Sequence, residues 1–353
     1  MMKTLLCILT LIGFTACQQS NEGKGEAEDY PIMTVTGEIS ASEMDTTLIH
    51  EHVLVDWIGA DSTGYHRWDR DEVVERALPF IREAAGHGVQ TILDCTPAYL
   101  GRDPWLLQEL SEQSGVRLLT NTGYYGAVDN KFMPRHARQE SAEELAGRWI
   151  DEFRNGIEDS GVKPGFIKIS VAGNGPLSDL HQKIVRAAAR THLQTGLTIV
   201  SHTTGDRPAL AQVEILKEMG VSPSAWVWTH AQAGTLENQI RIAREGGWIS
   251  LDNVSYVPSR EGDNGDNDDN MKWFVERISE LDESGLLDRV LISHDAGYYN
   301  PDEDDGGDFR EYTDIFEYLL PALRKNGFTN SDIDQLLVQN PREAYGIRTR
   351  TAQ

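Results

Sequence analysis

In the run TTLIHEHVLV, residues 46–55, His50 and His52 stand two positions apart among aliphatic and β-branched neighbours. On a strand, that spacing points both imidazoles to the same face. Further along, His202 closes LTIVSH, His230 closes AWVWTH, Asp295 closes RVLISHD, and Lys168 sits in the middle of GFIKISVAG. Imidazole and carboxylate are zinc-type ligands. Any one of these residues alone reads as a packing residue; together, at matching strand positions, they read as a metal site. Lys168 is different in kind. Phe166, Ile167 and Ile169 mark its strand as interior, and lysine is seldom fully buried unless something pairs with it. It could snorkel to a rim or pair with Asp295.

The elements that must carry these side chains alternate in type. Strand-like runs cover 46–55, 89–95, 116–123, 166–170, 197–202, 225–230, 247–252 and 289–295, and helical patterns such as 71–88 and 181–196 lie between them. Gly196 ends the second helical pattern as a helix stop should. Alternating strands and helices imply parallel βαβ units, and eight strands predict a single α/β domain of the (β/α)8 TIM-barrel class. A doubly wound open sheet is the rival, but no glycine-rich phosphate fingerprint follows an early strand. Barrel enzymes work at the carboxyl ends of their strands, where the candidate ligands fall.

The 353-residue chain carries a formal charge of -24. Such acidity argues against nucleic acid, whose binding is led by lysine and arginine contacts to phosphate, and against attraction to an anionic membrane surface. The opening MMKTLLCILTLIGFTACQQS has a basic start, a short apolar stretch and small residues before Cys17, the pattern of a secretory signal rather than a membrane span. FTAC resembles a bacterial lipobox. The expected layout is therefore a signal peptide at 1–16, a lipidated Cys17 with a flexible linker at 17–31, and the barrel at 32–350. That implies an exported, membrane-anchored lipoprotein of a bacterial envelope, facing the periplasm or the surface, touching membrane only through its lipid. Removal of residues 1–16 takes away one lysine and moves the charge from -24 to -25. Of three cysteines only Cys95 then stays free, so no intrachain disulfide is expected and stability must come from a core.

The residues HEH at 50–52, IK at 167–168, SHT at 201–203, TH at 229–230 and SHDAGYY at 293–299 resemble the phosphotriesterase family of the amidohydrolase superfamily. GRD at 101–103 and LLVQNPREAYGI at 336–347 extend the resemblance to about residues 32–347. The resemblance implies two divalent metal ions per chain, zinc foremost, with manganese, cobalt or iron as alternatives. It implies that Lys168 is carboxylated to N6-carboxylysine and bridges them, that His50, His52 and Asp295 hold the more buried ion, and that His202 and His230 hold the other. A metal-bridging hydroxide would then attack an electrophile, with Asp295 taking its proton. Desolvation and like charge would lower the lysine's pKa toward the neutral amine that takes up carbon dioxide.

For substrate the resemblance points two ways. Family members that hydrolyse phosphotriesters use an acidic residue after the sixth-strand histidine and a histidine after the seventh strand; here Ala233 and Asn253 stand instead. Lactonase members place a tyrosine at the end of the third strand, where TGYYGA offers Tyr125 with Tyr124 beside it. Tyr298, with Tyr299, could line the same pocket, and Arg207 could meet a polar substrate group. The acidic loops 259–270 and 300–309 read as solvated and would repel anionic substrates at long range. The leading expectation is hydrolysis of a neutral lactone or ester; organophosphate triester hydrolysis is the alternative. A non-catalytic ligand-binding surface lipoprotein is the reading from another class, and a homodimer through a barrel face would match the relatives. Glu51, whose side chain should face away from those of His50 and His52, reads as supporting, Asp252 as able to orient a ligand, and His294 as turned into the barrel wall.

Overall fold

The computed structural model describes residues 29–173, 175–255 and 266–352. The expected signal segment, Cys17, most of the linker and residues 259–265 of the first acidic loop lie outside the described residues. The chain enters through an antiparallel hairpin of β1 (Pro31–Thr34) and β2 (Gly37–Ser40) that the sequence pattern did not announce, because strands of four residues are too short to show a period. There follow β3 (Thr47–Leu54), β4 (Thr91–Asp94), β5 (Arg117–Leu119), β6 (Asn121–Thr122), β7 (Phe166–Ser170) and β8 (Ile199–His202). The last four are β9 (Trp226–Thr229), β10 (Trp248–Leu251), β11 (Val290–Ile292) and β12 (Gly297–Tyr299).

From β3 onward every ladder is parallel. One sheet runs β12-β3-β4-β5 and the other β6-β7-β8-β9-β10-β11. Only Thr120 separates β5 from β6, so the third strand run passes from one sheet into the other. At the far end Asp295 N donates to His50 O at 3.0 Å, and Gly297 pairs with His52. The result is a mixed α/β fold of parallel sheets whose strand order matches a (β/α)8 barrel. The eight strand runs read from the sequence all form strands; β7 covers its run in full and the others are a few residues shorter than theirs.

Parallel strands covered on both faces must be apolar on both, and all eight residues of β3 are buried. Ile49, Leu93, Cys95, Leu119, Val200, Val227 and Leu291 pack together as one cluster, reached from below by Ile32, Met44 and Tyr345. The other strand faces pack against helices such as Arg70–Gly86, capped by Asp69, and Asp179–Thr195, capped by Ser178 and ended by Gly196 at φ 77°. The C-terminal segment straps onto this body: Asn340 Nδ2 donates to Leu287 O and Val290 O, and Arg350 to Ala344 O and Gly346 O. The second acidic loop is ordered. Arg67 pairs with Asp302, Asn300 N donates to Gly306 O, and Phe309 is buried.

One glycine fixes how closely the third and fourth strand runs approach beneath the site. Gly123 has φ 122°, and a Cβ there would lie 2.0 Å from Lys168 O. Both the left-handed backbone and the clash penalise any side chain. Gly123→Ala is expected to cost about 3 kcal/mol or more in urea denaturation. Gly86→Ala, where a Cβ meets nothing within 4 Å, should leave the midpoint in place.

Candidate metal centre

His50 and His52 both reach the carboxyl end of the strand ring from β3, as the two-residue spacing requires. His202 ends β8, and Lys168 lies within β7. His230 and Asp295 stand just beyond their ladders, at φ 62° and 53°. Left-handed backbone at two non-glycine residues carries strain typical of functional sites, roughly 1–3 kcal/mol each. The turn brings each side chain back over the ring. His50 Nε2 and His52 Nε2 lie 3.4 and 3.2 Å from Asp295 Oδ1, and His230 Nε2 lies 4.0 Å from Asp295 Oδ2. Lys168 Nζ is 3.1 Å from His50 Nε2, and His202 Nδ1 is 2.8 Å from His230 Nε2.

These spacings test whether a metal suits the residues present. Four donors held about 2.1 Å from a tetrahedral ion lie about 3.4 Å from one another, close to the spacings of the His50–His52–Asp295 group. His50, His230 and Asp295 offer ligand atoms that all fall within 4.8 Å of one another. The opposite ring atoms are already engaged. His50 Nδ1 and His230 Nδ1 donate to the two oxygens of Asp252 at 2.9 Å each, and His52 Nδ1 faces Thr96 Oγ1 at 2.8 Å. A ring whose Nδ1 carries the proton leaves Nε2 as a lone pair aimed inward. Burial and then the Lys168 charge push His50 down to about 4, and burial with the His230 charge pushes His202 far below its usual value. Both are neutral near pH 7, the form that ligates. His230 differs: burial opposes its charge, but the Asp252 carboxylate raises it, and it would give up its Nε2 proton on ligating. Burial opposes ionisation of Asp252 and Asp295, yet the surrounding imidazoles hold both well below the usual carboxylate range. The set fits divalent cations.

Lys168 is 1% exposed, so it does not snorkel. Among the described residues it forms no ion pair, with Asp295 or any other carboxylate; its contact with His50 Nε2 leaves the buried ammonium without a counter-charge.

The remaining sequence candidates separate. Tyr125 joins the site, its hydroxyl 3.1 Å from His202 Nδ1, and Tyr298 donates to Asp295 Oδ1 at 2.5 Å. Burial raises both phenols, so they stay protonated donors. Tyr124 does not join it. Consecutive residues of extended chain face opposite ways, and Tyr124 turns outward to His136 Nε2 at 2.9 Å and to Trp149. Arg207 is also corrected: it is exposed in the first turn of the helix Asp206–Glu218 and does not line the cavity. Tyr299 packs in the core. The cavity over the donor cluster has a volume of about 120 Å³ and is walled by Val55, Trp57, Leu100, Tyr125 and Tyr298. Trp57 and Leu100 escaped the sequence reading because loop hydrophobics carry no period; their one signal was following a strand end.

Two supporting carboxylates stand out. Asp252 bridges the first and sixth strand runs, as described. Glu51 is 1% exposed, and its two oxygens accept from Ser293 Oγ, His294 N, His294 Nδ1 and Ala296 N at 2.7–3.0 Å. It therefore holds the backbone on either side of Asp295. His294 faces the wall as expected, its Nε2 accepting from Ile315 N at 3.0 Å. The GRD motif is structural: Arg102 grips Glu152 at 2.9 and 2.8 Å, and Asp103 caps the helix Pro104–Ser114.

A parallel strand ring that gathers imidazoles and a carboxylate at its carboxyl end is the build of a metal-dependent hydrolase. The chain belongs to the phosphotriesterase family, whose model matches residues 31–345. It is 27% identical to the phosphotriesterase homology protein of Escherichia coli over 85% of this chain and 97% of that protein. It is 28% identical to the aryldialkylphosphatase of Saccharolobus solfataricus over 87% and 96%, and 24% identical to the N-acetyltaurine hydrolase of Homo sapiens over 88% and 97%.

Asp252→Asn cannot accept from both imidazoles and forces one into the other tautomer. Zinc affinity should fall about 10- to 100-fold in a chelator competition assay, with near-wild-type circular dichroism. Glu51→Gln places an amide N–H against one of four donors. It should lower stability by about 2 kcal/mol in denaturant unfolding and loosen zinc retention on dialysis.

Proposed function

We propose that this chain is a binuclear metal hydrolase of a neutral lactone or carboxylic ester. The observation that carries the reading is the pairing of the donor cluster with its walls. Val55, Trp57, Leu100 and the two tyrosines are uncharged, and the one cation lining the cavity is Lys168, buried at its base. A neutral acyl group or ring suits those uncharged walls; apart from the ions that the donor cluster would hold, the lining offers an anionic group no exposed cationic side chain.

Bound divalent ions would activate water and polarise the substrate carbonyl oxygen. His50, His52 and Asp295 would hold one ion and His202 with His230 the other. Lys168 would contribute to both as a carbamate: its ammonium gives up one proton, and the amine nitrogen then bonds the carbon of carbon dioxide and releases a second. That change replaces an unpaired buried cation with an anion beside the imidazoles. Asp295 is the proton acceptor. Its side chain keeps 18% exposure, so it can receive a proton at the cluster and return it to solvent or to the departing alkoxide. Tyr125 supplies a phenol O–H at the cavity wall that can donate to the ring or leaving-group oxygen. Trp57 and Leu100 limit water over the reacting centre. Export through the N-terminal segment and anchoring at Cys17 complete the proposal.

The test is a hydrolysis panel of neutral lactones, simple esters and one phosphotriester, with zinc- or manganese-loaded protein in bicarbonate buffer and proton release followed. Lactone or ester turnover is expected, falling about 10³-fold in Asp295→Asn. It should vanish with chelator and return with zinc. Fast triester turnover with silent lactones and esters would overturn the substrate assignment.

A further inference from the structure

We infer that Tyr298 is a positioning residue that acts through Asp295, its hydroxyl deciding which carboxylate oxygen is committed to the cluster and which stays free to take a proton. The inference rests on the hydrolase reading for its catalytic consequence, not for its geometry. The end of a carboxylate side chain rotates in a broad, two-fold well, so nothing in Asp295 itself distinguishes its oxygens. Tyr298 Oη breaks that equivalence by donating to Oδ1 at 2.5 Å. Oδ1 is also the oxygen facing His50 Nε2 and His52 Nε2, at 3.4 and 3.2 Å, whereas Oδ2 faces His230 Nε2 at 4.0 Å. One oxygen is thus bound on several sides and the other is left with room.

The backbone is bent to make this contact. Tyr298 sits at φ 76°, three residues after Asp295 at 53°, and a bulky residue in that region is a genuine outlier. Gly297 between them has φ 95°, and a Cβ on it would lie 1.8 Å from His52 O. The turn is therefore pressed against β3 and cannot relax outward. The ring is held as well as the hydroxyl. It stacks on His52 at 4.8 Å with 19° between planes, and the Arg310 guanidinium lies 4.9 Å from its centroid. Arg310 also donates to Asp295 O, and its backbone N–H donates to Gly297 O at 2.9 Å. A pocket wall needs an apolar ring; it does not need a strained backbone and a clamped guanidinium to aim a phenol at a carboxylate. Strain that persists because the surroundings over-determine it marks a functional placement.

Tyr298→Phe keeps the ring, its stack on His52 and the Arg310 contact, and deletes only the hydroxyl. Two readouts are needed: zinc affinity of metal-free protein by chelator competition, and kcat and KM on whichever ester or lactone the wild type hydrolyses. The expected result is a 10- to 100-fold loss in zinc affinity or in kcat, with KM within twofold and the melting temperature near wild type. Tyr298→Leu, which also removes the stack, should be no better than Tyr298→Phe in either readout. A raised KM with kcat and zinc affinity intact would make Tyr298 a substrate contact and overturn the inference, as would no change in any of the three. The zinc titration uses no substrate, so weakened binding supports the positioning role even if the hydrolase reading fails.

Discussion

The Glu51 carboxylate joins the first barrel strand to the last, and the site depends on that junction. Its side chain lies on the far side of β3 from the imidazoles of His50 and His52, where it meets the backbone N–H groups of His294 and Ala296 and the Ser293 hydroxyl. A buried carboxylate accepting several donors is stable only when those donors arrive together. The strand bearing two imidazoles is thereby tied to the segment bearing Asp295. Asp252 repeats the device between the first and sixth strand runs, with one oxygen for each of two imidazoles. Two acids that do not line the cavity thus set the position of the groups that do.

This arrangement concentrates charge where a barrel can least easily solvate it. Asp252, His50 and Lys168 are 2% exposed or less. The ammonium of Lys168 stands 3.1 Å from His50 Nε2 with no carboxylate in ion-pair contact among the described residues. The proposed carbamate would turn that uncompensated cation into an anion, and the proposed divalent ions would give the imidazoles a common partner. Below the site the interior is apolar, with aliphatic side chains, Phe166 and Cys95. Stability is thus carried mainly by the lower layers and the outer helices, and function by the polar top. The left-handed turns at His230 and Asp295 mark the seam where local backbone preference gives way to the site.

The relatives share nearly the whole length at 24–28% identity and carry different activity names. A common barrel therefore leaves the substrate to the loops. In this chain the relevant loop residues are Trp57, Leu100, Tyr125 and Tyr298, an uncharged wall, while Ala233 and Asn253 are exposed and outside the cavity lining.

Much of this was legible in the chain of letters. Buried parallel strands are apolar on both faces, so their runs stood out, and a histidine ending such a run is visible against that background. His50, His52, Lys168, His202, His230 and Asp295 could all be named because strand periodicity and strand-end position are local properties. The hairpin β1–β2 was not legible, since strands of four residues are too short to show a period, and only Ile32 and Thr34 of them are buried. Nor was the opposite fate of two adjacent tyrosines: Tyr124 and Tyr125 are chemically alike, and only the register of the third strand run sends one to His136 and the other to His202. The partners of Glu51 lie more than 240 positions away and those of Asp252 up to 202 away. The sequence by itself determined the succession of strands and the inventory of candidate ligands, because both follow from residue type, local spacing and, for Lys168, family resemblance. Tertiary structure alone decided which oxygen meets which ring, since that depends on ring closure between segments at opposite ends of the chain.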